Sequence, residues 1–293
     1  MKKTLLRSKA TWGLVLGLGF CFSAQAFNSW TFSGSTATDG GPAKTSYGSG
    51  SGSLVIAGAY ATNVGTNGIS GNWAANTSGS PSAALQFWGG GLGMGSDGSG
   101  TPNHALDNNG SYTEGVLLSF GQSTVLTGID MGYVSGDADI SVFRYTGASA
   151  PTVTGTGASL AAMQAAGWSL VGNYANLAAD ASSPYAYNLI NGATNTKETP
   201  TDDPNTVVPT ASGSSVGSSW WLITAYNTAY GSGTGLEQGN DYFKLLAVAG
   251  SVCTGTVAQC GARRVPEPGS LALASLALFG IFFTRRQFNG RKS

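Results

Sequence analysis

Residues 115–134 read GVLLSFGQSTVLTGIDMGYV, and this stretch decides the fold class. It contains two runs of apolar and β-branched residues, Gly115–Phe120 and Thr124–Val134, with Gly121, Gln122 and Ser123 between them. Short runs of this kind, bounded by glycine and small polar residues, are typical of β-strands. The stretch therefore predicts two consecutive strands.

The same pattern recurs along the body of the chain, and it predicts an all-β fold. A short helix is predicted over Ser159–Ala166, with Ser159 as its N-cap and Gly167 as its end. We expect a single β-sandwich or jelly-roll-like domain, in which the segment Asn191–Ser218 is one long loop. The other predicted strands are Ser29–Phe32, Ser53–Tyr60, Ala84–Trp88, Ile140–Tyr145, Ser169–Tyr174, Tyr185–Ile190, Ser219–Tyr226 and Tyr242–Val248.

The N-terminus has the three parts of a secretory signal peptide. Basic residues come first, the apolar run Trp12–Phe22 follows, and Ala24 and Ala26 form a small-residue cleavage site. We therefore divide the chain into a signal peptide (1–26), an extracellular all-β domain (27–262) and a C-terminal segment (263–293).

The C-terminal segment has the order of a membrane stop. The apolar run Leu271–Phe283 would rise only about 20 Å as a helix, which is short for a membrane span. Its flanks nevertheless favour a transmembrane helix, because Pro266 and Pro268 precede the run and the basic pair Arg285 and Arg286 follows it.

The sequence Val265-Pro266-Glu267-Pro268, followed by a short apolar helix and Arg285-Arg286, resembles the PEP-CTERM sorting signal of Gram-negative bacteria. The resemblance implies a substrate of exosortase, a membrane protease that removes the tail. It also implies transient anchoring in the inner membrane, and then delivery to the cell surface or extracellular matrix. Such proteins are associated with exopolysaccharide and biofilm, so exopolysaccharide or matrix proteins are the partners that the resemblance implies.

The body also resembles an exosortase-dependent surface protein family, which implies the same location but assigns no catalytic residue. The stretches that carry this likeness begin near Leu92 and are Pro102–Asn108, Val116–Phe120, Gly132–Ile140, Gly167–Tyr174, Trp220–Asn227 and Asp241–Leu245.

Charge is unevenly distributed, although the whole chain is formally neutral. Eight of the fourteen Lys and Arg residues lie in the signal peptide and in residues 285–293, while thirteen of the fourteen acids precede Glu267. The part from Phe27 to Pro266, which includes Arg263 and Arg264, is therefore acidic, about −7. It has no basic patch for phosphates, so we exclude nucleic acid as a partner.

Two cysteines of the exported part, Cys253 and Cys260, are seven positions apart. In an oxidising compartment this pair predicts a disulfide across a short loop. A metal or redox role would need further ligands, and the single histidine of the chain, His104, is far away in sequence.

Residues 89–115 are rich in glycine and in hard oxygen ligands. We expect Asp107 and the neighbouring asparagines to accept backbone amides in Asx turns, and we expect no cofactor. The alternative is a calcium site with Asp107 and Asp97 as ligands, because calcium binds such oxygens in loops beside β-sandwiches. The pattern GxGxxG at Gly93–Gly98 is not followed by a helix, which argues against dinucleotide binding.

We expect a non-enzymatic protein that acts through contacts with the matrix. No GxSxG motif is present, and nothing selects a glycosidase pair, although Glu114 with Asp139 could be named. The alternative is a lectin-like carbohydrate-binding module, with or without calcium. The side chains that could stack on sugars, most of which we expect in the core, are Trp73, Trp88, Trp168, Trp220, Trp221 and Tyr226. Minor alternatives are a glycoside hydrolase and an ice-binding protein with Thr-x-Thr motifs at 152–154 and 254–256.

Overall fold

The computed structural model describes residues 27–35, 41–49, 52–62, 68–75, 85–94, 104–109, 112–179, 187–197 and 207–261. These residues are mostly β-strand, which confirms the all-β prediction. Two short helices, α1 (Leu160–Ala165) and α2 (Val257–Cys260), and the 3-10 helix Thr228–Tyr230 accompany the strands. The strands are β1 (Phe27–Thr31), β2 (Gly41–Pro42), β3 (Ser46–Tyr47), β4 (Leu54–Thr62), β5 (Ala74–Ala75), β6 (Leu85–Trp88), β7 (Gly91–Met94), β8 (Leu106–Asp107), β9 (Tyr112–Val134), β10 (Ile140–Tyr145), β11 (Trp168–Tyr174), β12 (Asn188–Leu189), β13 (Thr194–Lys197), β14 (Val207–Thr210), β15 (Gly217–Ala225) and β16 (Tyr242–Val252).

Strand β9 is the centre of the fold. Its first half pairs with β4 on one side and β15 on the other, and its second half pairs with β16 and β12. The sheet then continues from β15 to β10 and β11, and from β16 to β1 and β7. Because β9 takes part in both regions, fourteen of the described strands form one hydrogen-bonded sheet.

The main core takes side chains from both pairing regions. It combines Leu118 and Phe120 from the first half of β9 with Ile129 from the second half, and it adds Leu245 from β16 and Trp221 from β15. All five of these side chains are at most 1% exposed. Burial of large apolar side chains of this kind supplies about 1.5–3 kcal/mol each, so this core is the main source of stability.

A second core lies on the opposite face of β15, because successive side chains of a strand point to opposite faces. Trp220 and Leu222 belong to this second core, whereas Trp221 and Ile223 belong to the main core. Helix α1 covers the second core with Met163. The side chain of Ser159 accepts a hydrogen bond from the amide of Ala162 at 3.3 Å, so the predicted N-cap is confirmed.

The structure differs from the sequence prediction in several strands, and the short strands β2, β3, β5 and β8 were not predicted. The strands predicted over 115–120 and 124–134 are one 23-residue strand, because the segment between them changes partners without leaving the sheet. The loop predicted over 191–218 contains a separate hairpin, β13–β14. Strand β7 was not predicted: its glycine-rich sequence is needed because a Cβ at Gly93 would stand 1.7 Å from the carbonyl oxygen of His104.

Within the part of the chain that the structure describes, no helix is long and apolar enough to cross a membrane. The predicted signal peptide (1–26), including Ala24 and Ala26, lies outside the described residues. The predicted transmembrane helix Leu271–Phe283 also lies outside them.

Candidate functional site

A cluster of three carboxylates lies where the connection from β9 to β10 meets the start of β16. Ligand oxygens of Asp137, Asp139 and Asp241 all lie within 4.8 Å of one another. A tight turn at Gly136 (φ 72°) and a parallel bridge between Asp137 and Asp241 bring the two segments together. Asp139 and Asp241 are fully buried.

Backbone amides surround this acidic cluster. The two carboxylate oxygens of Asp139 accept hydrogen bonds from the amides of Asn176 and Glu237, each at 2.7 Å. One oxygen of Asp241 accepts the amide of Asp139 at 2.7 Å, and the other accepts the side-chain amide of Asn108. The acidic cluster therefore joins four segments of the chain that are distant in sequence.

Asn108 completes this junction. Its Nδ2 also donates to the carbonyl oxygen of Tyr226 at 2.7 Å, and its Oδ1 accepts the amide of Gly239 at 3.0 Å. The side chain is only 2% exposed, so nearly all of its hydrogen-bonding capacity is used inside the protein.

The electrostatics of the acidic cluster favour protonation. Burial, with the nearby charge of Asp139, raises the pKa of Asp241 to about 8, although hydrogen bonds from Asp139 and Asn108 act in the opposite direction. Burial also raises the pKa of Asp139. Among the described residues, no Lys or Arg forms an ion pair with either carboxylate. Desolvated carboxylates without a nearby cation hold protons more tightly.

The ligand atoms of the acidic cluster are of the kind that calcium prefers, since all are hard oxygens. Each oxygen of Asp139 and Asp241 already accepts a hydrogen bond from an N–H group, however. Both side chains therefore have a structural role, because they join segments of the chain. The acidic cluster can therefore bind a proton, and it holds the surrounding loops together.

The predicted calcium ligands are not part of this cluster. Asp107 is 1% exposed at the end of β8, and its Oδ1 accepts the amide of Asn109 at 3.0 Å. This contact is the Asx turn expected for Asp107. Asp97 lies outside the described residues.

Sequence reasoning did not select the three clustered acids as a site. The only local signal is the Asp-x-Asp pattern of Asp137 and Asp139, which is common in loops. Asp241 joins them through a bridge to Asp137 from more than a hundred residues away, and no local pattern indicates this contact.

The predicted disulfide between Cys253 and Cys260 is present, with Cα atoms 5.5 Å apart. It closes a loop that contains α2, and Thr256 and Gln259 form a capping box at the start of that helix. Arg144 of β10 donates from Nη1 to the carbonyl of Gln259 at 2.9 Å. The disulfide and Arg144 therefore attach this loop to the sheet at two points.

The aromatic side chains considered for sugar stacking are mostly in the cores. Trp73, Trp168, Trp220, Trp221 and Tyr226 are at most 3% exposed, which confirms the expectation that most of these side chains are core residues. Only Trp88 is half-buried, and one of its faces stacks on His104 with ring centroids 3.6 Å apart. None of the five buried rings can offer a face to a glycan.

The sorting residues Val265, Pro266, Glu267, Pro268, Arg285 and Arg286 lie outside the described residues, so their evidence is the sequence itself. A family model for the PEP-CTERM protein-sorting motif matches residues 264–287, which include all six. Neither a curated protein nor a solved structure matches the chain.

Proposed function

Since the chain carries a PEP-CTERM protein-sorting motif, we propose that it is an exported surface or matrix protein whose body acts through non-catalytic contacts. The match at residues 264–287 is the observation that carries this proposal. The motif implies export, a sorting step at the membrane and exosortase as the processing partner. The contribution to a matrix or biofilm is the part that we propose beyond the motif.

Two arrangements in the body support a non-catalytic role. The Nδ1 of His104 is buried and accepts or donates no hydrogen bond within the described residues, so no described Ser or Asp side chain orients this imidazole as a general base. Glu114 and Asp139 are both fully buried, and a polysaccharide could not reach such a pair. We therefore propose that the body is not an enzyme.

The threonine motifs do not support ice binding. Thr152 and Thr154 lie in a loop, and Thr254 and Thr256 lie between β16 and α2. A flat array of threonines needs the motifs on stacked strands. Neither motif therefore contributes to the proposed function.

The proposal is tested by intact mass and cell fractionation of the protein from its producing cells. The wild type is compared with a variant carrying Pro266→Ala, Glu267→Ala and Pro268→Ala. We expect a wild-type chain that begins at Phe27, lacks the residues after the motif and lies outside the inner membrane. The variant should keep its tail and remain in the inner membrane.

A matched control is Val257→Ala, which alters a 68% exposed side chain a few residues before the motif. This control should be processed like the wild type. If wild type and triple variant both stay unprocessed in the inner membrane, the sorting proposal fails, and the protein is a permanently tethered domain.

A further inference from the structure

A cavity of about 340 Å³ opens beside the ends of β10 and β11, away from the acidic cluster. Arg144 and Ser169 are direct partners in the register of these strands, so their side chains lie on the same face of the sheet. Both line the cavity, and the turn at Gly192 and the segment with Ser214 and Val216 close its other side.

Arg144 brings to this cavity a cation that no described carboxylate neutralises. Its Nη1 donates to the carbonyls of Gly217 at 3.2 Å and Gln259 at 2.9 Å, and its Nη2 donates to that of Ala258 at 3.4 Å. These acceptors are neutral, and within the described part of the chain no carboxylate pairs with Arg144. Burial lowers the pKa of Arg144, which is the expected effect on a partly desolvated cation without a counter-charge.

The guanidinium group has donors left for a ligand. Of its five N–H donors, three bind these carbonyls, so among the described residues the donor on Nε and one donor on Nη2 have no acceptor. Arginine recognises carboxylates through two such donors at once. A carboxylate in the cavity would therefore find both charge and hydrogen bonds.

The rest of the lining suits a ligand that carries hydroxyl groups. The hydroxyl of Ser169 makes no hydrogen bond with any described residue, and that of Ser214 contacts only Ser212, at 2.9 Å. Val171 and Val216 supply an apolar wall. The volume is at the lower end of the range of roughly 300–1,000 Å³ for ligand pockets, so it suits one sugar-sized unit.

We propose that this cavity binds a hexuronate, an acidic sugar unit of the kind found in polysaccharides. Arg144 would hold its carboxylate, Ser169 and Ser214 would contact its hydroxyls, and Val171 would pack on the ring. A monoanion is favoured over a phosphate dianion, because Arg144 is the only cation among the described residues that line the cavity. The inference rests on the proposed function, since it names a partner class for an exported matrix protein.

The test is isothermal titration calorimetry of the processed protein from its producing cells, with sodium glucuronate and sodium galacturonate as probes. Glucose has the ring without the carboxylate, and acetate has the carboxylate without the ring. We expect a hexuronate to bind at least about tenfold more tightly than glucose or acetate, since a charge-assisted hydrogen bond contributes more than 1.4 kcal/mol. Equal binding of acetate and hexuronate would overturn the sugar assignment, and equal binding of glucose would overturn the role of the charge.

Two variants locate the site. Ser169→Leu fills the cavity and leaves the contacts of Arg144 intact, so it should abolish hexuronate binding without lowering the melting temperature. Arg144→Gln should weaken binding by at least about tenfold. The matched control is Ser46→Leu, an exposed serine in β3, which should bind like the wild type.

Unchanged binding by Ser169→Leu would overturn the proposal, even if Arg144→Gln failed to fold. Failure of this inference is distinct from failure of the sorting proposal. Processing and fractionation are read by mass, and hexuronate binding is read by calorimetry on the same wild-type protein.

Discussion

Asp241 illustrates how the fold changes the chemistry of a single residue. Its carboxyl group is ordinary in sequence, but burial beside Asp139 raises its pKa from near 4 to about 8. Between these pH values the folded protein holds a proton that the unfolded chain has lost. Stability must therefore fall as pH rises through this range.

We predict that the free energy of unfolding decreases between pH 5 and pH 8 by at least about 1.4 kcal/mol, the equivalent of one pKa unit. The raised pKa of Asp139 acts in the same direction. Asp241→Asn should flatten this dependence, because the amide cannot lose a proton. Urea unfolding at several pH values, with a chelator present, measures both slopes.

Glu237→Gln is the control at this scale, because it removes an exposed carboxylate while the backbone amide of Glu237 still donates to Asp139. It should keep most of the wild-type slope. Equal slopes in the wild type and in Asp241→Asn would show that Asp241 does not titrate as its burial requires.

At the scale of elements, α2 depends on contacts outside itself, because a helix of four residues has little stability of its own. The disulfide ties it to β16, and Arg144 binds its carbonyl oxygens. Both contacts act on the same loop, so their contributions should depend on each other.

We predict that Cys253→Ala with Cys260→Ala lowers the free energy of unfolding by about 2.5 kcal/mol, the chain-entropy value for so short a loop. Arg144→Gln should cost less in this background than in the wild type, with a coupling of at least about 0.5 kcal/mol. Denaturant unfolding of the double-mutant cycle measures this coupling. Strictly additive effects would mean that Arg144 stabilises the sheet independently of α2.

At the scale of the whole molecule, the body has its own cores and ends in the loop that the disulfide closes. The described residues that form these cores lie between Trp30 and Cys260, and the first strand, β1, pairs with the last, β16. The matched sorting segment begins at residue 264, after this loop. The stability of the body should therefore not depend on the tail.

We predict that an exported chain ending at Ala262 has a melting temperature within about 2 °C of that of the unprocessed full-length chain in the same detergent. A change of about 1 kcal/mol in the free energy of unfolding would shift the melting temperature by more than this. Differential scanning calorimetry of both proteins gives the comparison. A chain ending at Ser251 would lack α2 and both cysteines, and it serves as the destabilised control. A large loss of stability at Ala262 would place residues 263–293 in the folded body.

Local sequence was sufficient for features that act locally. The sorting motif was found from residues 264–287 alone, because a short linear segment carries its signal. The strand at 140–145 follows from a short apolar and β-branched run between turn residues, and the N-cap Ser159 follows from a hydrogen bond to a nearby amide. The disulfide required only two cysteines seven positions apart.

Tertiary structure alone decided the features that depend on pairing between distant segments. It joined two predicted strands into β9, because different neighbours bind each half, and it placed Trp220 and Trp221 in separate cores. It also brought Asp241 to Asp137 and set Arg144 beside Ser169 at a cavity. The physical reason is that strand register, and not sequence distance, determines which side chains share a face, a charge environment or a pocket.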